Sequence, residues 1–419
     1  MLQKAIKIKH DFLRKNYSLA GVSHILIILI IFFSFLASSN LLSFQRYYYI
    51  VLAISIVLYI LLNRKIVIDL RFLLTFLFAS SYFITYTIFN GFQIMFLFYP
   101  FYIVLLQQLI FSLISNDNDG TVIHLLIANA LGFFLLYCLT IAATIRNQGI
   151  IFNGGFLTQF WHKEKYGMLS RTGLSLAGLG ILSLASFIIF EKSEYRNYFS
   201  IIISLLVILF IFITTTITTT RAFIIVIVLS LIIFSLKKFK RTNVKTIIGL
   251  LFFLSILGLL YFMMVKGFIR LPSALNDITI VRRFLDKDYN SNSARKNLYK
   301  IFFQNFYKFP FGGMNTLDSI NYVHNLILDF YTFGGIVPFV LFVIFLIDLI
   351  YQMYKYKKLG YTVYYSLFFS FIIPIIILGL FEPLYNANAN SITPLFLIYY
   401  YLVYKNKRKY NNESKQDYF

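Results

Sequence analysis

Four residues of this 419-residue chain combine a reactive or anion-binding side chain with a setting that suits it: Arg171, Arg221, Arg295 and His324. Arg221 closes the run Thr214-Thr215-Thr216-Ile217-Thr218-Thr219-Thr220-Arg221, a polar tip between two apolar runs. A forked guanidinium beside hydroxyls suits a phosphate held at membrane depth, and an arginine snorkelling at an interface fits equally well. Arg295 follows Ser291-Asn292-Ser293, residues that favour the N-cap, which predicts Arg295 in the first turn of a helix. There the unpaired N–H groups and the guanidinium would form an anion site; the alternative is a base facing lipid headgroups. Arg171, in Ser170-Arg171-Thr172-Gly173, stands at the start of an apolar run, where a structural anchor is the simpler reading. His324 lies in Tyr322-Val323-His324-Asn325-Leu326-Ile327-Leu328-Asp329. An imidazole at a membrane edge can move a proton, although a lone His is more often structural. Asn325 and Asp329 share a face at i, i+4 spacing, while Asp329, five positions from His324, has no evident part in orienting it. Glu164 and Glu382 are the reserve carboxylates. GxGxxG, Walker and HExxH patterns do not occur, and His, Asp and Glu nowhere cluster at metal-ligand spacing. Neither nucleotide-driven nor zinc chemistry is expected, and no cofactor.

These residues must be positioned by apolar helices. The chain is 59% hydrophobic and 13% charged, where a soluble domain has about a quarter charged. At roughly 20 residues per crossing, apolar runs predict twelve spans: 18–38, 47–62, 72–89, 92–115, 121–145, 174–190, 198–217, 222–236, 246–265, 333–352, 361–380 and 392–404. The expected fold is therefore all-α, a polytopic integral membrane protein with about 12 transmembrane helices and one large extracytoplasmic loop. It divides into nine spans in 1–265, the loop 266–326, three spans in 327–404 and a cytoplasmic tail 405–419.

Basic residues outnumber acidic ones 38 to 16, but they cluster in short segments between apolar runs and read as orientation signals rather than a nucleic-acid surface. With both termini inside, 23 of the 38 fall in the N-terminal stretch, the alternate gaps at 63–71, 191–197, 237–245 and 353–360, and the tail. The short outer gaps hold six and the long segment 266–326 nine; long translocated loops obey the rule weakly. The gap 116–120 is anomalous, with two Asp and no base. The single Cys138 lies in an apolar run, so neither a disulfide framework nor a thiolate metal site is expected.

Loops longer than about 15 residues are usually functional or disordered. Two outer segments qualify, 146–173 and 266–326. Within the second, Leu298, Ile301, Phe302, Phe306 and Phe309 recur at helical spacing before Pro310 and Gly312-Gly313, which predicts an amphipathic helix over 295–309 lying on the outer membrane surface.

Taken in order, Thr218-Thr219-Thr220-Arg221-Ala222, then Ser293-Ala294-Arg295 opening a helix that ends in Pro310-Phe311-Gly312-Gly313, then His324-Asn325 with Asp329 and Gly334-Gly335, form a series. It resembles the O-antigen polymerase and O-antigen ligase family of bacterial surface-polysaccharide assembly. Ser170-Arg171-Thr172-Gly173 resembles that family's segment after its earlier outer loop, and the similarity runs from about 166 to 340. Where the family often carries a bulky aromatic such as Trp after the loop arginine, Leu298 and Tyr299 stand here. The resemblance implies a metal-independent glycosyltransferase in the cytoplasmic membrane of a bacterium. Its donor would be a polyprenyl-pyrophosphate-linked oligosaccharide used on the outer face, and a chain-length regulator and a flippase of the same pathway would be its protein partners. The family arginines that hold pyrophosphate map to Arg221 and Arg295, with Arg171 as a third, and the essential histidine maps to His324. A polymerase adds glycan to another lipid-linked repeat unit, and a ligase moves it to lipid A core, protein or wall; the motifs do not separate them, and the absence of an added acceptor domain favours the polymerase. A polysaccharide flippase would show two related halves and polar residues near the midplane, neither of which is evident in the sequence.

Overall fold

A computed structural model of the chain describes residues 2–148, 156–158, 160, 168–190, 197–218, 221–238, 290–317, 323–382 and 392–416. Glu164, the ninth expected span at 246–265 and the parts 266–289 and 318–322 of the loop 266–326 lie outside the described residues. The described residues form thirteen α-helices: α1 Leu2–Ser39, α2 Gln45–Asn63, α3 Leu70–Asn90, α4 Ile94–Ser115, α5 Gly120–Gln148, α6 Arg171–Phe190, α7 Tyr198–Ile217, α8 Arg221–Lys238, α9 Asn290–Asn305, α10 Leu326–Gly334, α11 Ile336–Lys358, α12 Thr362–Gly379 and α13 Thr393–Gln416. A two-stranded antiparallel hairpin, β1 Phe156–Thr158 and β2 Met168–Ser170, joins α5 to α6.

Eight helices are long and apolar enough to cross a membrane, among them α1 to α7 and α11. The apolar parts of α8 and α12 are shorter, Ala222–Ser235 and Val363–Gly379. The bundle is thus that of a multi-pass membrane protein. Its outer belt is apolar: α7 exposes Ile202, Leu205, Leu206 and Leu209, and α2 exposes Ile50, Ile54 and Leu61. In water such faces would be a liability, whereas lipid leaves them at no cost. The helix interior to the bundle is α13. Every residue from Ile392 to Tyr404 is buried, as a helix apolar on all sides must be, and α13 packs against α4, α11 and α12.

Beyond Tyr404, α13 continues through the stretch expected as a tail and ties three gaps together. Lys405 pairs with Asp119, Arg408 with Asp117 at 2.6 Å, Lys407 with Asp69 at 3.8 Å, and Lys409 donates to the Leu359 carbonyl. The acids of 116–120 that lacked a neighbouring base in sequence find theirs on α13.

Candidate functional site

The segment 323–329 is shaped by its own polar side chains. Asn325 caps α10: its Oδ1 accepts the N–H groups of Ile327 and Leu328 at 3.0 and 3.1 Å. Asp329, one turn on, reaches back and accepts the Val323 N–H at 2.9 Å. Between these anchors His324 is held at φ 56°, a left-handed conformation that a non-glycine residue adopts only where its surroundings impose it. The orienting role that spacing denied to Asp329 is therefore real, exercised through the backbone of the preceding residue.

The end of α12 completes the cluster. Asn325 Nδ2 donates to the Leu380 carbonyl at 3.3 Å, and His324 Nδ1 lies 3.3 Å from Glu382 Oε2. Glu382 is buried, with a side chain 7% exposed against 22% for His324. A carboxylate at Nδ1 holds the ring proton there and leaves Nε2 as the basic nitrogen. Asp329 is 1% exposed. Burial pushes its carboxyl up to about 7; the Val323 N–H opposes this and the nearby Glu382 charge adds to it. Its Oδ2 makes no hydrogen bond among the described residues. Two carboxyl groups and an imidazole thus stand together where α10 begins and α12 ends.

Helix directions carry Arg171 and Arg221 to the same end of the bundle. α5 begins beside the Lys405 contact, at the end opposite His324. Gly180 of α6 lies against Ala130 of α5, and Gly178 against Tyr137, so α6 runs antiparallel to α5 and starts at the His324 end. Phe223 meets Gly178, and Phe234 meets Phe190 at 6.1 Å between ring centres, so α8 runs parallel to α6. Phe234 also meets Phe369 of α12 at 6.1 Å. Arg221 lies 13 residues before Phe234 and Glu382 13 after Phe369, each roughly 20 Å along the axis. The start of α8 and the end of α12 therefore stand at similar height. Arg171 opens α6, whose first turn is capped by Ser170 Oγ accepting the Gly173 N–H at 3.0 Å.

The threonine tip before Arg221 differs from expectation. Thr214 Oγ1 is shared between the Tyr137 hydroxyl at 2.5 Å and the Phe210 carbonyl at 2.7 Å, and Thr218 Oγ1 donates to the Thr215 carbonyl at 3.2 Å. These hydroxyls are buried against α5 and their own helix, because a hydroxyl without water takes the nearest carbonyl; they do not line a phosphate site.

Two features of α9 also differ. It starts at Asn290, so Arg295 falls in the second turn rather than the first. Nor does the apolar face rest on lipid alone. Phe302 packs edge-on against Tyr331 of α10 at 5.6 Å, the Tyr331 hydroxyl donates to the Phe306 carbonyl, and Leu298 joins Val323, Met314 and Leu328 in the same small core. Phe303, Tyr307 and Phe311 remain exposed.

Among the described residues no three His, Cys, Asp or Glu side chains gather closely enough to hold a metal ion. Of the expected site residues, the structure brings together His324, Asn325, Asp329 and Glu382, and places the helices opened by Arg171 and Arg221 at their end. The partnership of His324 with Glu382, 58 positions apart, was not readable from spacing; the available signal was a lone acid just after an apolar run. No family model and no curated protein matches the chain.

Proposed function

We propose that the protein is a polysaccharide polymerase, a metal-independent glycosyltransferase that moves glycan from a polyprenyl-pyrophosphate donor to a lipid-linked repeat unit on the outer face of the cytoplasmic membrane. The observation that carries this reading is His324, held in a left-handed turn against the buried Glu382 at the end of the bundle where α6 and α8 begin with arginines. Arg221 and Arg295, with Arg171, neutralise the pyrophosphate as it leaves. His324 takes the proton of the acceptor hydroxyl through Nε2 as that oxygen attacks the anomeric carbon, and Glu382 stabilises the imidazolium that forms. The bond to pyrophosphate breaks as the glycosidic bond forms, so the activated donor supplies the driving force.

Transfer from purified lipid-linked donor, with EDTA present, tests the reading. His324→Ala is expected to lose about 10²–10⁴-fold in rate at unchanged abundance and donor binding. Full activity in that variant would sink the base assignment. Product on lipid-linked repeat units supports the polymerase; product on lipid A core, protein or wall would make the enzyme a ligase of the same chemistry.

A further inference from the structure

At the end of the bundle opposite His324, a lateral cleft opens between α3, α11 and α13. Its base is an ion pair, Arg71 Nε to Asp348 Oδ2 at 3.1 Å. Asp348 is fully served, since Tyr399 donates to Oδ2 at 2.7 Å and Gln352 to Oδ1 at 3.0 Å. Arg71 has donors to spare: a guanidinium carries five N–H donors, and its partners among the described residues are Asp348 and the Tyr399 hydroxyl beside it. Its side chain is 36% exposed.

From Arg71 the cleft runs along one face of α3 past Leu74, Thr75 and Phe78, roughly 10 Å at 1.5 Å per residue. Ile344 and Phe342 of α11 and Phe396 of α13 form the opposite walls. The rim on α11 is apolar and exposed at Val340, Ile344 and Ile347, so the opening faces hydrocarbon rather than water. An arginine with open donors beside such walls is costly unless acceptor oxygens reach it. Arg71 is the second residue of α3, and Arg64 and Lys65 precede it in the adjoining gap. The local excess is therefore positive, at the depth where lipid headgroups lie.

We propose that this cleft binds one anionic phospholipid, whose phosphate oxygens accept from the terminal nitrogens of Arg71 and whose acyl chain lies along Leu74 and Phe78. A soluble anion would satisfy the guanidinium but leave the apolar walls empty. The site is separate from the proposed transfer chemistry and does not depend on it.

Native mass spectrometry of the full chain in detergent, with phosphatidylglycerol added, tests this. The wild type is expected to retain one lipid through detergent dilution. Arg71→Lys keeps the charge opposite Asp348 but loses the fork, and retention should fall roughly fivefold or more. Ile344→Trp leaves the ion pair untouched and fills the chain slot, and retention should fall to background; because Ile344 is exposed, this variant tests the site even if the arginine variant misfolds. Equal retention by wild type and the Trp variant, or no retained lipid in the wild type, would overturn the proposal. Displacement of the lipid by excess inorganic phosphate would also overturn it, by making the site one for soluble anions.

Discussion

Replacing Gly335 by alanine should unseat α9 and the following loop from the corner between α10 and α11. Gly335 sits at φ 79°, ψ −165°, a region essentially reserved for glycine, which costs another residue about 1–3 kcal/mol. Its N–H donates to the Tyr331 carbonyl at 2.8 Å, and the next residue, Ile336, donates to the Pro310 carbonyl at 2.8 Å. A Cβ at Gly335 would stand 2.5 Å from the Phe311 carbonyl carbon and Gly312 nitrogen, and 2.6 Å from the Pro310 oxygen. All three are backbone atoms, so no side chain can swing away. Overpacking of this kind typically costs about 1–3 kcal/mol, and losing the Ile336 hydrogen bond adds about 1 kcal/mol, for a total of about 3–7 kcal/mol with the conformational strain. Gly360→Ala is the control: φ is 83° with nothing within 4 Å of the new methyl, so it carries strain without overlap and should cost about 1–2 kcal/mol. Melting in detergent and limited proteolysis read the two variants. Gly335→Ala should expose residues 306–317 to cleavage and lower transfer, while Gly360→Ala should not. Equal melting of both variants, with 306–317 protected in each, would show that the corner yields easily and that the docking of α9 is not held as argued.

Three further expectations follow from the site. Arg221→Lys and Arg295→Lys keep charge but lose the fork and should slow transfer, the Ala variants more so; normal polymer from both Ala variants at matched expression would refute pyrophosphate binding. Because the Asp329 carboxyl is pushed up to about 7 in the fold against about 3.9 in the unfolded chain, the folded state binds the extra proton. Stability should therefore be fullest below about pH 4, fall between about 4 and 7, and level above, by about 4 kcal/mol for a shift of this size. Asp329→Asn should remove that slope, and a slope unchanged from wild type would refute the assignment. For the orientation, a cysteine placed in 285–320 should be labelled from outside and one in 237–245 spared; the reverse pattern would remove the proposed chemistry along with the topology.

The apolar runs were legible because a helix among lipid and other helices has little besides length and apolarity to record: eleven of the twelve expected stretches overlap α1 to α8 and α11 to α13, and among the described residues eight of these helices are long and apolar enough to cross a membrane. Ends were harder. α1 begins at Leu2 and α13 continues to Gln416, since Lys, Arg and Gln are good helix formers and hydropathy is blind to a helix that leaves the membrane. In the site, the sequence placed Asn325 and Asp329 on one face, while the structure makes Asn325 the cap of α10 and turns Asp329 back to the Val323 N–H. Glu382 did not pair with His324 in sequence because the contact is made by α12 returning to the start of α10, and long-range register of that kind leaves no local trace. The threonine tip misled for a physical reason. Six threonines within seven positions look like a binding surface, but Thr214 and Thr218 each bond a carbonyl about one turn back in their own segment.

The two ends of the bundle use charge in opposite ways. At one end Lys405, Lys407, Arg408 and Arg71 each face an acid on another segment, an arrangement that fixes helices against one another. At the other, an imidazole is held in a strained turn beside one buried carboxylate, and a second carboxyl lies close to its titration point with an oxygen lacking a hydrogen bond among the described residues. A structure selected for stability alone would replace such a cluster with apolar side chains, since isolated buried polar groups cost more than they return. Strain and unsettled protons persist only where the surroundings over-determine them. Here they do: Asn325 caps α10 and Asp329 holds the Val323 N–H on either side of His324, and α9 packs against the same α10 through Tyr331. That convergence, more than any one motif, is why the chemistry is sought at His324.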